Sequence, residues 1–264
     1  MKILIPTDFS ANALLAIDFA ILTFGKTESE YLLLNLYHEP HAAATSMISL
    51  VDIAMQDSKQ LLAEEETRIR SANGKDIKLE ILSEYGEGGK KIASIGAKFK
   101  CDLIVMSTKG ASGLKEILIG SVAADTIHAS KIPVLMIPED SKSSEFKTWI
   151  VAIDEIKNTE ILSPVRNIAN HFKAELSFLK IVKAIPGISN GHNHRPSFLN
   201  QADGYDEYSA EDPIDGINEY LIKNKADLLV MFPGTHGFID RLFKRSNTGK
   251  MAMHTNVPML TVHK

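Results

Sequence analysis

KCDLIVM at residues 100–106 returns as KADLLVM at residues 225–231, 125 positions later. In each copy an aspartate precedes an unbroken apolar run, which has the length and composition of a strand buried on both faces. At the same offset Ser121 meets Ser246, Pro133 meets Pro258 and Leu135 meets Leu260. Any one pair could match by chance. A single register held from residue 100 to residue 135 marks an internal repeat. The two halves also begin alike: ILIPTD at residues 3–8 resembles WIVAID at residues 149–154.

Working outward, residues 2–6 read as a short strand. Ser10 is placed to cap a helix over 11–24, with Leu14, Ile17, Ile21 and Phe24 on one face and Gly25 ending it. Residues 31–36 are a second buried strand. A long helix over about 48–71 carries Glu64, Glu65, Glu66, Arg68 and Arg70, read as a solvated face, and stops at Asn73-Gly74. A strand at 77–82, a helix at 90–98, the strand at 102–106, a helix at 121–129 and a strand at 134–137 complete the first half. Apolar strands alternating with helices imply an α/β fold with a parallel sheet covered on both faces. The polar segment EDSKSSEFK, residues 139–147, reads as a linker. The expected organisation is two tandem doubly wound domains, 1–140 and 147–264, with five parallel strands in the first.

The second half is an unfaithful copy. Residues 184–213 include Gly187, Asn190, Gly191, Asn193, Pro196 and Gly204, turn chemistry where the first half has its long helix. No long helix is expected there. Asp212-Pro213 reads as the N-cap and first position of a helix running to about residue 223.

Composition narrows the partners. The 264-residue chain is 44% hydrophobic and 23% charged, with a formal net charge of −4 and no long basic run. Nucleic acid is therefore not the expected partner, because phosphate backbones are gripped by clustered Lys and Arg. No uninterrupted apolar stretch approaches ~18 residues, so no membrane span is expected. Pro6 and Asp8 break the N-terminal apolar run too early for a signal-peptide core. The single cysteine, Cys101, makes no internal disulfide, fits a cytoplasmic location and reads as a small core residue.

In an open parallel sheet, ligands sit beyond the carboxyl ends of the strands where the strand order reverses. For a sheet ordered 3-2-1-4-5, that point lies between strands 1 and 4. Pro6, Thr7 and Asp8 leave strand 1, while Ser107, Thr108, Lys109 and Gly110 leave strand 4. The following loop, MSTKGASGLKEILIGSV at 106–122, holds Gly110 and Gly113, which permit close backbone approach. Gly120-Ser121 opens the last helix, whose free N–H groups and dipole favour an anion. Ser121 adds a hydroxyl for capping or for a phosphate. A capped helix after a loop, with no ligand, explains the same residues.

This stretch resembles the ATP-binding signature of universal stress proteins, G-x2-G-x9-G-[S/T]. The match runs through Ser107, Gly110, Gly120 and Ser121, with the spacing intact. The opening ILIPTDFS and the closing IPVLMIP are also similar to the family, so the resemblance spans the first domain. It implies an adenine nucleotide alpha hydrolase-like fold with strand order 3-2-1-4-5. It further implies ATP or another adenine nucleotide, with or without Mg2+, as ligand. Pro6, Thr7 and Asp8 would then flank the adenosine and Leu36 would approach the adenine. Met106, Ser107, Lys109 and Gly110 would line base and ribose, and Gly120, Ser121 and Val122 would hold the phosphates. Ser107 departs from the pattern's first glycine. A serine there costs ~1–2 kcal/mol if the position needs positive φ, and nothing if it needs only a small residue.

The second half keeps little of the signature. Phe232, Thr235 and Arg245 stand where the first half has Ser107, Gly110 and Gly120; Ser246 and Asp154 remain. One nucleotide per chain, in the first domain, is the expectation. Gly234 and Gly237 read as turn residues.

Other signals are weaker. GEGGKK at 86–91 is not a P-loop, since Glu84 holds the first glycine position and Lys91 follows Lys90. No G-x-G-x-x-G follows strand 1, which disfavours a dinucleotide fold. His192 and His194 sit in a loop with no ligand partner at a set spacing, and His236 reads as a polar loop residue, so no metal or catalytic residue is assigned. The leading function is a cytosolic nucleotide-binding stress or signalling protein. A ligand-free interaction module of the same fold and a slow ATPase or phosphotransferase are the alternatives. Universal stress proteins commonly dimerise through their last strands, so an intramolecular pseudo-dimer of the two domains and a possible homodimer are expected, with 134–137 and 259–262 as equivalent edges.

Overall fold

The computed structural model describes residues 1–39, 50–108, 119–141, 146–153, 160, 162–183, 203–233 and 257–263. They fall into two compact units that divide within a strand, between Val134 and Leu135.

The first half runs β1 (Lys2–Pro6), α1 (Ala11–Phe24), β2 (Glu30–Tyr37), α2 (Leu50–Asn73), β3 (Lys78–Tyr85), α3 (Gly88–Lys98), β4 (Leu103–Ser107), α4 (Ser121–Ala129) and β5 (Val134–Ile137). Its strands follow the order β3-β2-β1-β4-β5. β1 pairs in parallel with β2, Ile3 opposite Tyr31, and with β4, Ile3 opposite Leu103. The strand order therefore reverses at β1 and β4. Ile3, Leu4, Leu33, Leu34, Leu103, Ile104 and Val105 have no more than 1% of their surface exposed, as a sheet covered on both faces requires.

Local chemistry sets the helix ends. The Ser10 hydroxyl accepts from the Ala13 N–H at 3.3 Å and opens α1, while Gly25, at φ 80°, closes it. The inner face of α1 is Ala13, Ala16, Ile17, Ala20, Ile21 and Phe24, all buried. Small residues let α1 lie close on the sheet.

The charged face of α2 is less solvated than its composition implies. Glu65 is only 6% exposed and accepts from Arg68 Nε and Nη2, and Arg68 also donates to Asp18 of α1. The Glu65 and Asp18 hydrogen bonds push the Arg68 guanidinium above its ordinary pKa. Arg70 donates to the carbonyls of Lys75, Ile77 and Leu79, tying the end of α2 to the start of β3. Periodicity marks these positions as polar but does not show that the guanidinium groups reach neighbouring elements. Cys101 is buried, which raises its thiol pKa.

The second half runs β6 (Thr148–Ile153), α5 (Leu162–Phe172), β7 (Glu175–Lys183), β8 (Gly204–Ala210), α6 (Pro213–Lys223), β9 (Leu228–Met231) and β10 (Met259–Thr261). Its order, β10-β9-β6-β7-β8, repeats that of the first half, with β6 in the place of β1 and β9 in the place of β4. Asp212 caps α6 by accepting from the N–H groups of Ile214 and Asp215, and Pro213 is its first residue.

Two further features differ from the sequence reading. Part of the turn-rich span is a strand: β8 pairs with β7 from Gly204 opposite Ser177 to Ala210 opposite Lys183. The missing-helix expectation otherwise rests on residues 184–202, outside the described residues. The polar segment 139–147 contains Phe146, which is 1% exposed and packs edge-on against Phe172, 5.3 Å between centroids. Its carbonyl accepts from the Trp149 indole at 2.7 Å. Among the described residues, no helix is long and apolar enough to cross a membrane.

Candidate functional site

β1 ends at Pro6, and the chain turns sharply to reach α1. Thr7 still pairs with the sheet, its N–H donating to Leu34 at 2.8 Å. Phe9 takes a positive φ of 60°, stabilised by its N–H bonding to the Thr7 hydroxyl. Asp8 Oδ1 accepts from the Ser10 N–H at 3.0 Å and from the Ser10 hydroxyl at 2.5 Å. The turn is braced from below by Asn35, buried on β2, whose amide donates to the Thr7 carbonyl at 2.7 Å.

The neighbouring strand, β4, ends at Ser107. The Thr108 carbonyl accepts from the Gly120 N–H at 2.7 Å, pinning the start of α4 beside the end of β4. Gly120 is the N-cap of α4, at φ −62° and ψ 154°, and as a glycine it brings no capping side chain. Ser121 is the first helical residue rather than the cap. Among the described residues the N–H groups at the start of α4 have no side-chain cap, and such a helix start favours an anion.

These elements enclose a cleft of about 750 Å³, within the range of small-molecule sites. Pro6, Thr7, Asp8, Leu36, Met106, Ser107, Gly120, Ser121 and Val122, all singled out from the sequence, line it. Lys109 and Gly110 lie outside the described residues. Ser107 carries no left-handed strain, because it closes a strand and is absent from the positive-φ residues. Met106 is 7% exposed and Val122 43%, giving the cleft an apolar component.

Thr108, named from the sequence at the exit of strand 4, also lines the cleft; sequence reasoning missed Asn35, His38, Asp125 and the run Glu87, Gly88, Gly89 and Lys90. That residues 86–91 are no P-loop says nothing of where they lie in the fold. Two strands, β2 and β1, separate β3 from β4, yet the first turn of α3 reaches the cleft. The signal for this was Gly89. A Cβ there would lie 2.1 Å from the Thr126 nitrogen, so only glycine lets α3 approach α4 this closely. Among the described residues no cluster of His, Cys, Asp and Glu is placed to hold a metal ion. In the second unit, Phe232 is buried at the position equivalent to Ser107.

The family model of the universal stress protein family matches residues 1–138, more than half of the sequence, and the chain belongs to that family. Universal stress protein MJ0531 of Methanocaldococcus jannaschii is 31% identical over 144 residues, covering 53% of this chain and 84% of that protein. Universal stress protein YxiE of Bacillus subtilis is 26% identical over 144 residues, covering 52% of this chain and 97% of that one. The crystal structure of a universal stress protein from Archaeoglobus fulgidus matches 100% of this chain and 96% of its own, with a TM-score of 0.72 at 20% identity. The likeness of fold thus extends over the whole chain, whereas the two sequence relatives match about half of it.

Proposed function

We propose that this protein binds one adenine nucleotide per chain, in the cleft of the first unit, as part of a stress or signalling response. The observation that carries the reading is convergence. The exit of β1, the exit of β4 and the uncapped start of α4 meet in one cleft at the point where strand order reverses. Leu36 and Met106 supply apolar surface for a base, with Asp8 beside the ribose. Ser121 and Val122 present backbone N–H groups to phosphate, and Gly120, whose own N–H is held by the Thr108 carbonyl, leaves room for it. The signature-like spacing across Ser107, Gly110, Gly120 and Ser121 supports the same ligand.

The second unit is proposed to bind none. Phe232 replaces a small residue, and Arg245 replaces the glycine that opens the last helix. Hydrolysis is not part of the proposal, since phosphoryl transfer needs a group that positions water and a set of metal ligands.

Titration calorimetry of the purified chain with ATP, ADP, AMP and adenosine tests this. A stoichiometry near one for at least one adenine nucleotide supports the reading. Absence of binding by all four, or a stoichiometry near two, overturns it.

A further inference from the structure

Lys90 and Lys91 stand side by side in the first turn of α3 and meet different surroundings. Lys91 Nζ lies 3.3 Å from Glu84 Oε2, and its side-chain carbons pack over Gly86. Lys90 lines the cleft, is exposed, and has no hydrogen bond or ion pair with another described residue.

The packing of α3 fixes what Lys90 can reach. A Cβ on Gly89 would fall 2.1 Å from the Thr126 nitrogen and 2.6 Å from the Val122 carbonyl oxygen. The first turn of α3 therefore rests on the first two turns of α4, next to the N–H groups of Ser121 and Val122. A lysine at position 90 carries its ammonium on a flexible four-carbon stem beside that end of the cleft.

The charges around it make the ammonium matter. Asp8 from the β1–α1 turn, Glu87 at the N-cap of α3 and Asp125 on α4 also line the cleft, with His38 beyond β2. Each carboxylate disfavours an anionic ligand. Lys90 is the one Lys or Arg among the described lining residues.

We propose that Lys90 sets the preference of this cleft for a phosphorylated over an unphosphorylated adenine nucleoside. This rests on the nucleotide reading above. Helix N–H groups supply partial charges, and among the described lining residues Lys90 supplies the full positive charge that offsets the surrounding carboxylates. Because the ammonium is exposed, the effect is moderate and weakens with salt.

The test compares wild type, Lys90→Gln and Lys91→Gln by calorimetry with ATP and with adenosine, at low and moderate salt. Both substitutions keep a good helix former at an α3 position, so the fold should survive; circular dichroism checks this. Lys90→Gln should weaken ATP binding by about fivefold at low salt and less at higher salt, and leave adenosine unchanged. Lys91→Gln should change neither ligand's affinity. Equal ATP affinity in wild type and Lys90→Gln, equal losses for ATP and adenosine, or an equal effect of Lys91→Gln overturns the proposal while the nucleotide reading stands. Failure of wild type to bind either ligand overturns both.

Discussion

Asp102 and Lys2 hold each other by two reciprocal hydrogen bonds: the Lys2 N–H donates to Asp102 Oδ2 at 2.7 Å, and the Asp102 N–H donates to the Lys2 carbonyl at 2.8 Å. The same device recurs in the second unit. Thr148 N–H donates to Asp227 Oδ2 at 2.9 Å and Asp227 N–H to the Thr148 carbonyl at 2.9 Å, with Lys147 N–H as a further donor at 2.9 Å. Each pair joins the start of one strand to the start of its parallel neighbour and so fixes their register. This is the physical content of the aspartate shared by KCDLIVM and KADLLVM.

Replacing these aspartates should loosen each unit separately. Asp102→Ala removes one acceptor at a solvent-accessible strand end, costing about 1 kcal/mol. Asp227→Ala removes an acceptor for two N–H groups and should cost more, about 1–2 kcal/mol. Asparagine at either position retains an acceptor and should recover most of the loss. Urea unfolding of the four variants measures this; asparagine variants as unstable as the alanine ones would show that the hydrogen bonds are not the cause.

A second duplicated feature concerns Lys100 and Lys225. Both follow a helix end at positive φ, 54° and 49°. In both, the next N–H reaches back into the helix, Cys101 to the Gly96 carbonyl at 2.9 Å and Ala226 to the Leu221 carbonyl at 3.1 Å. Helices commonly end with a left-handed residue, usually glycine, which escapes the steric cost that lysine bears. Lys100→Gly and Lys225→Gly should each stabilise the chain by about 0.5–1 kcal/mol, part of the relief being lost to glycine's greater freedom when unfolded. Thermal unfolding should show a higher midpoint for each variant. An unchanged or lower midpoint would mean that the lysine side chains make compensating contacts.

The elements most legible in sequence were those with apolar periodicity. β1, α1, α4 and β5 begin and end where the periodic residues do. β8 was not legible, because GYDEYSA alternates around polar residues and stands last in its sheet, where it pairs only with β7. Tyr220 of α6 is buried and gives its hydroxyl to Asp206 on β8, so this strand's packing depends on a partner no local pattern reveals. In the site, residues adjacent to strands β1 and β4 were legible because topology alone brings those strand ends together. Asn35 was not. It sits in the apolar run EYLLLNLY and reads as an interruption until the Thr7 carbonyl is seen beside it.

Asn35 gives a test of how the β1 turn is held. Asn35→Ala leaves the Thr7 carbonyl without its buried donor, costing about 1–2 kcal/mol of stability. It also frees the Pro6–Asp8 turn, so adenosine affinity should fall along with ATP affinity. Asn35→Asp is the sharper variant. Its ionised carboxylate cannot donate to the carbonyl and is costly to bury, whereas its protonated form can donate. The folded-state pKa of the introduced carboxyl group would therefore be raised above its unfolded value. The stability of Asn35→Asp relative to Asn35→Ala should then rise as pH falls from about 7 towards 4. Denaturant unfolding of both variants across that range measures the difference. A pH-independent gap would show that position 35 is not facing the carbonyl.

The start of α4 is where the proposed ligand is most exposed to disproof. Gly120 has φ −62° and ψ 154°, a conformation open to any residue, so a substitution there adds no left-handed strain. Any loss of binding reports on space and hydrogen bonding instead. Gly120→Arg copies the residue that Arg245 supplies in the second half. The guanidinium attracts phosphate by charge, yet its bulk competes for the place where phosphate meets the N–H groups of the first turn. We expect the steric effect to prevail, because a phosphate cradle depends on close backbone approach. Losing two hydrogen bonds to a charged acceptor, at ~1.5 kcal/mol or more each, weakens binding by at least about tenfold even after partial compensation. Gly120→Asp separates charge from size: it caps α4, raising stability by a few tenths of a kcal/mol over glycine, and repels phosphate, so ATP affinity falls while adenosine affinity holds. Calorimetry on both variants, with unfolding to confirm their stability, decides the matter. ATP affinity unchanged in both would place the phosphates somewhere other than the start of α4.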